Sequence, residues 1–322
     1  MRLSNFDFKI EEFILYCTSR NLSKRTIQSY ESSLKLFGQY LSKEFKIDDI
    51  QNVTKSHIRH YVKHLQERGK YTCSEEGVNN NPLARTDRGK PISVNTINNY
   101  VRNIKVFFNW LKDEEDIEKN PMEKIRLLKG HERIKPKLTQ EEISAILNSF
   151  DKTRFDGYRS YLITLFILDT GVRISECVEI KMDDLNLSNQ ACVLRYTKNK
   201  KERIVFFSSK LKRELKNWIK FKDRYMSNEL LFPSRRGNLL LITGYERVLR
   251  RIGGKLEIDL YPHRLRATFA QYYLLNGGDL ISLGRLLGHS SPEVTKIYLQ
   301  LDEQSIAEQY RKFSPVDHLK LK

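Results

Sequence analysis

Apolar residues recur every three or four positions along most of this 322-residue chain, and that period constrains the fold more than any other feature. Ile10, Phe13, Ile14 and Cys17 form one such stripe. Ser23 is placed to cap a second helix, on which Ile27, Tyr30, Leu34, Phe37 and Leu41 share a face. Thr54 can cap a third carrying Ile58, Tyr61, Val62 and Leu65. Ser93 can cap a fourth carrying Ile97, Tyr100, Ile104, Phe107, Phe108 and Leu111, which Asn120-Pro121 closes. The second and fourth share a Ser-x-x-Thr-Ile-x-x-Tyr start, either a duplicated helical hairpin or two similar caps.

The second half adds the chain's strongest β signal. Thr139 and Glu142 form a capping box, and an apolar helix from Tyr158 to about Leu168 reaches the Thr170-Gly171 turn. A new helix starts near Arg173. ACVLRY and RIVFF then flank TKNKKE, which predicts a β-hairpin with Lys198, Lys200 and Lys201 at or near its tip. Helices are expected around Leu211, Leu215, Trp218 and Ile219, and again over Tyr245–Ile252. The expected fold class is mainly α with a small β-sheet, in two domains.

Two segments break the pattern. Residues 67–91 are polar and rich in Gly and Asn, long for a connection inside a compact domain; they extend over DNA or a partner subunit, or form a solvated insertion. Residues 124–137 carry Lys124, Arg126, Lys129, Arg133, Lys135 and Lys137. They read as an interdomain linker that crosses a phosphate backbone, or one that is simply solvated.

The net charge of +17, interspersed through most segments, favours a polyanionic partner, although ribosome-associated and membrane-surface proteins share it. No apolar run approaches the roughly 20 residues of a membrane helix, and the N-terminus has no signal-peptide core, so an intracellular protein is expected. Cys17, Cys73, Cys177 and Cys192 are scattered, which disfavours a structural zinc site or disulfide framework. Only Cys73 has polar neighbours and is expected to be exposed.

The stretch Tyr261–Gln300 holds the chemistry. His263 and Arg266 open a helical run, Leu-Leu-Gly-His ends at His289, and Tyr298 follows. Two arginines, Arg173 and Arg266, can hold the non-bridging oxygens of a phosphodiester without a metal. A tyrosine nucleophile needs a proton acceptor, for which His263 is a candidate, and the departing alkoxide needs a donor, for which a hairpin lysine is one. The best acidic pair for a metal, Asp183-Asp184, lies on an exposed-looking stretch. Singly each residue has a structural explanation: Arg173 a surface ion pair with Glu176, His263 a cap, His289 a buried histidine, Tyr298 a core residue.

These motifs together resemble the tyrosine recombinase (phage integrase) family, notably its Xer-like and transposon or phage integrase members. SKRTIQSY and SVNTINNYVRNIKVFFNWL look like its core-binding helices, TGVRISE its first arginine box, and TKNKKER its hairpin lysine motif. HRLRATFA, LLGHSS and TKIYLQ complete the set in order. The resemblance implies a C-shaped DNA clamp, with a SAM-like core-binding domain over 1–123, a basic linker over 124–137 and a catalytic domain over 138–302. Residues 303–322 would dock in trans on a neighbouring protomer. Arg173 and Arg266 would clamp the scissile phosphate, Lys198 protonate the leaving 5′-hydroxyl, His263 accept the tyrosine proton, His289 bond a phosphate oxygen and Tyr298 attack. No metal or cofactor is implied. The implied partners are double-stranded DNA with a specific core site, a homotetramer on synapsed DNA, and in some members an accessory DNA-bending or directionality protein, all in a bacterial or mobile-element cytoplasm at the nucleoid.

The hairpin reads Thr-Lys-Asn-Lys-Lys where Gly-Lys-Gly is usual, so Lys200 and Lys201 rival Lys198. Ala267 replaces a common histidine, Gln300 another, and the 71–91 insertion is atypical. A type IB topoisomerase-like relaxing enzyme and a non-catalytic DNA-binding accessory protein are the alternatives.

Overall fold

The structure is a computed structural model and describes residues 5–75, 78–80, 87–130, 137–195 and 202–288. The chain divides into two compact units, Met1–Glu132 and Arg133–Lys322.

The N-terminal unit packs four helices: α1 (Asn5–Ser19), α2 (Lys24–Phe45), α3 (Lys55–Glu67) and α4 (Val94–Asp113). Their apolar stripes meet in an aromatic core of Phe6, Phe13, Phe37, Tyr61, Phe107 and Phe108, each at most 2% exposed. The rings interlock largely tilted or edge-on, as at Phe13–Phe107 and Phe37–Tyr61, which their quadrupoles favour over face-to-face stacking. Both expected serine caps form. Ser23 Oγ accepts from the Thr26 amide at 3.2 Å and Ser93 Oγ from the Thr96 amide at 3.3 Å.

The 71–91 insertion contains a short antiparallel hairpin, β1 (Cys73–Glu75) with β2 (Val78–Asn80), above a bridge between Gly69 and Pro91. Cys73 is half-buried rather than exposed, because the Arg68 guanidinium bonds its sulfur. Cys17, Cys177 and Cys192 are buried as expected. After α4 the chain is strapped back onto that helix. The Asn98 amide donates to the Leu128 carbonyl at 3.0 Å and accepts from the Leu128 amide at 2.9 Å.

The C-terminal unit is built round α6 (Phe155–Thr170), which buries nearly its whole circumference. Packed around it are α5 (Gln140–Asn148), α7 (Ile174–Val178), α8 (Ser209–Asp223), α9 (Ile242–Leu256), α10 (Pro262–Leu275) and α11 (Leu280–Leu287). A three-stranded antiparallel sheet joins them, β3 (Leu185–Asn186), β4 (Ala191–Leu194) and β5 (Arg203–Phe206), with Cys192 opposite Val205. The Thr139–Glu142 capping box forms in both directions, at 2.8 and 3.1 Å. Among the described residues no helix is long and apolar enough to cross a membrane.

One expectation fails here. Asp184 is not exposed: it is 4% accessible, accepts from the Lys181 amide and is paired with Arg195 Nε at 2.5 Å. The Arg195 guanidinium, on the residue just after β4, compensates its burial and occupies it structurally.

Gly171 ends α6 in the left-handed region, at φ 67°. A Cβ there would fall 2.3 Å from the Phe269 ring and 2.9 Å from Leu287. Left-handed backbone alone costs a non-glycine residue about 1–2 kcal/mol, and the ring must also move. Gly171→Ala is therefore expected to lower stability by roughly 2 kcal/mol or more, read as a shifted midpoint in urea denaturation. An unchanged midpoint would show that the turn relaxes freely.

Candidate active site

Two helix starts and two helix ends build the site. Arg173 is the N-cap residue of α7, directly after the α6 turn. His263 and Arg266 lie in the first turn and a half of α10, which Pro262 pre-organises at its first position. Opposite them, α6 ends at Gly171 and α11 at Gly288, both left-handed caps.

Arg266 is only 3% exposed. It donates from Nη1 to the Gly171 carbonyl at 2.7 Å and from Nη2 to the Leu287 carbonyl at 2.8 Å. Carbonyls at helix C-termini lack intrahelical partners and carry the negative end of the helix dipole. A guanidinium with its flat, permanently charged fork suits that place.

Arg173 is more open, with its side chain 27% exposed, and donates from Nη1 to Glu176 Oε1 at 2.9 Å. The Glu176 carboxylate also receives the backbone amide of Arg173 at 2.9 Å. Glu176 is buried, yet a second arginine makes its charge tolerable: Arg203, at 2.9 and 2.7 Å, bonds both its oxygens. Burial raises its pKa, but the Arg203 bonds and charge, followed by those of Arg173, outweigh it and leave the carboxyl lowered.

His263 lies within the field of both Arg266 and Arg173. Desolvation, then the charges of Arg266 and Arg173, lower its pKa. His263 is exposed as a residue, so solvent screening moderates the size of the effect and leaves its direction. A neutral imidazole is favoured beside two permanent cations.

The structure thus brings Arg173, His263 and Arg266 together. Lys198, His289 and Tyr298 lie outside the described residues, as do Lys200, Lys201, Arg133 and Lys135. Lys124, Arg126 and Lys129 are exposed on the N-terminal unit, and Lys137 is half-buried in the other. Sequence reading missed Arg203. Its signal was an arginine on the apolar strand RIVFF, two positions before the fully buried Val205 and on the same face of the strand.

Residues 136–305, just over half of the chain, match the model of the phage integrase family. The chain belongs to that family. Residues 10–78 match the N-terminal SAM-like domain of phage integrases. Among relatives of this chain, a tyrosine recombinase XerC of Oceanobacillus iheyensis is 28% identical over 322 residues, covering 97% of this chain and 98% of its own. A tyrosine recombinase XerD of Halalkalibacterium halodurans is 28% identical over 302 residues, with 92% and 93% covered. In fold, the chain is similar to the Tn1549 transposon integrase in complex with a circular intermediate DNA, with a TM-score of 0.72, 18% identity, and 95% and 99% of the chains covered. It is also similar to the XerH site-specific recombinase bound to a palindromic difH substrate (TM-score 0.68, 23% identity, 95% and 84% covered).

Proposed function

We propose that this protein is a site-specific DNA recombinase that cleaves and rejoins duplex DNA through a 3′-phosphotyrosyl intermediate. The observation that carries the reading is the pairing of Arg173 with the buried Arg266 across the Gly171 turn. There a carbonyl two residues before one guanidinium holds the other. Two fixed cations beside a neutral imidazole fit the charge that builds on non-bridging oxygens as a phosphodiester becomes pentacoordinate.

In the proposed step the Tyr298 phenol oxygen forms a bond to phosphorus and the bond to the 5′ oxygen breaks. His263 takes the phenol proton; its lowered pKa keeps the ring unprotonated and so able to accept, while making it a weaker base. Lys198, or Lys200 or Lys201 in its place, gives a proton to the leaving 5′ oxygen. His289 bonds a non-bridging oxygen. The phosphotyrosine conserves the energy of the broken bond, so another strand's 5′-hydroxyl can reseal it.

The finer parts of the proposal are a homotetramer exchanging strands through a Holliday junction, with residues 303–322 docking on the neighbouring protomer. The basic set Lys124, Arg126, Lys129, Arg133, Lys135, Lys137, Lys200 and Lys201 would contact phosphates. Relatives named as Xer recombinases and a fold neighbour named as a transposon integrase support work on DNA in a bacterial cytoplasm, for integration, excision or transposition.

The test uses duplex DNA carrying the core site, nicked so that cleavage releases a short fragment and religation fails. A protein–DNA adduct on a denaturing gel, formed equally with and without EDTA, is the expected result. DNA that the protein binds but never joins covalently would overturn the reading in favour of an accessory DNA-binding protein.

A further inference from the structure

Arg203 opens β5 with its side chain 12% exposed, and all three of its guanidinium nitrogens bond partners from two other elements. Nη1 and Nη2 donate to the two oxygens of Glu176 at 2.9 and 2.7 Å, while Nε donates to the Leu286 carbonyl at 3.0 Å. A fork bonded on both edges allows little rotation or sliding. The next carbonyl of the same helix end, that of Leu287, receives Arg266, whose other nitrogen returns to Gly171. Arg173 then follows two residues later and bonds Glu176 Oε1. These contacts close on themselves, running from Arg173 through Glu176, Arg203, the α11 terminus, Arg266 and Gly171 back to Arg173.

A second observation shows how tightly α11 is drawn in. Gly288, its left-handed cap at φ 64°, leaves so little room that a Cβ would sit 2.9 Å from Arg203 Nη1. The ring of contacts therefore fixes where one clamp arginine stands relative to the other.

We infer that Arg203 is a positioning residue for phosphodiester cleavage, which through Glu176 and the C-terminus of α11 sets the spacing of the guanidiniums of Arg173 and Arg266. The inference rests on the recombinase reading above. Arg203 itself touches no reacting atom. It acts on cleavage rate and leaves the affinity for DNA alone.

The test compares wild type with Arg203→Gln in single-turnover cleavage of the nicked substrate, alongside DNA affinity and thermal unfolding. The expected result is a roughly 100-fold slower cleavage at unchanged affinity. On a substrate whose scissile phosphate is a neutral methylphosphonate, the difference should shrink to a few-fold, because the guanidiniums there have no charge to match. Glu176→Gln should reproduce the defect, and the double variant should be no slower than the slower single one, since both break one unit. Wild-type cleavage by Arg203→Gln, an equal deficit on phosphate and methylphosphonate, or additive losses in the double variant would each overturn the inference. Should Arg203→Gln fail to fold, Arg203→Lys is read by the same criteria. Absence of adduct from the wild type would instead remove the recombinase reading itself, before any variant is compared.

Discussion

Tyr298→Phe is expected to bind core-site DNA as the wild type does and to give no covalent adduct. The substitution deletes one oxygen and keeps the ring, so packing and charge are conserved. The lost atom is the proposed nucleophile, and neither imidazole nor guanidinium in the site can form the same ester. Removing a nucleophile costs many orders of magnitude elsewhere, and here the loss should be at least roughly 10⁴-fold, below detection on a gel. Mass spectrometry of the wild-type adduct should find the nucleotide on the peptide containing Tyr298. An adduct of undiminished yield from Tyr298→Phe would assign the attack to another residue, and Tyr298 would revert to a core aromatic.

Replacing Arg173 and Arg266, the proposed phosphate clamp, should separate two kinds of damage. Arg266→Ala leaves the Gly171 and Leu287 carbonyls, both at helix C-termini, without their buried donor. Each unsatisfied group costs about 1–3 kcal/mol, so the variant should unfold several degrees earlier as well as losing cleavage by roughly 10²–10³-fold or more. Arg173→Ala should show a comparable loss of cleavage with little change in unfolding. Its side chain is partly solvated, and Glu176 keeps both bonds to Arg203. Thermal unfolding and single-turnover cleavage of the two variants make the comparison. Equal destabilisation by both would show that Arg173 carries structural weight which its geometry does not suggest.

Contacts that close within one helical turn were legible from the residues alone. Ser23, Ser93 and the Thr139–Glu142 box cap their helices because donor and acceptor are three positions apart, and the Arg173–Glu176 pair has that same spacing. Contacts that depend on tertiary folding were not. Arg203 meets Glu176 across 27 positions and Leu286 across 83, and no local pattern announces either. Asp184 looked solvated because its partner, Arg195, lies eleven positions on, at the far end of a strand. The β1–β2 hairpin escaped notice because CSE and VNN lack the alternating β-branched and aromatic residues that mark a strand. For the family motifs, order along the chain carried the signal: the family model spans residues 136–305, which include Arg173, His263 and Arg266.

The strap between Asn98 and Leu128 alters the thermodynamics of the basic residues beside it. A flexible tether rich in lysine must give up chain entropy when it settles along a phosphate backbone, at about 1–2 kcal/mol for each residue fixed. Lys124, Arg126 and Lys129 stand on or next to a segment whose backbone is already held to α4 by a two-way amide bond. Displaced counter-ions contribute the same favourable term in either case. The ordering cost, however, was met when the N-terminal unit folded. In the proposed contact with phosphates, these cations would therefore start from a backbone already ordered at Leu128, which lowers the entropic cost of binding.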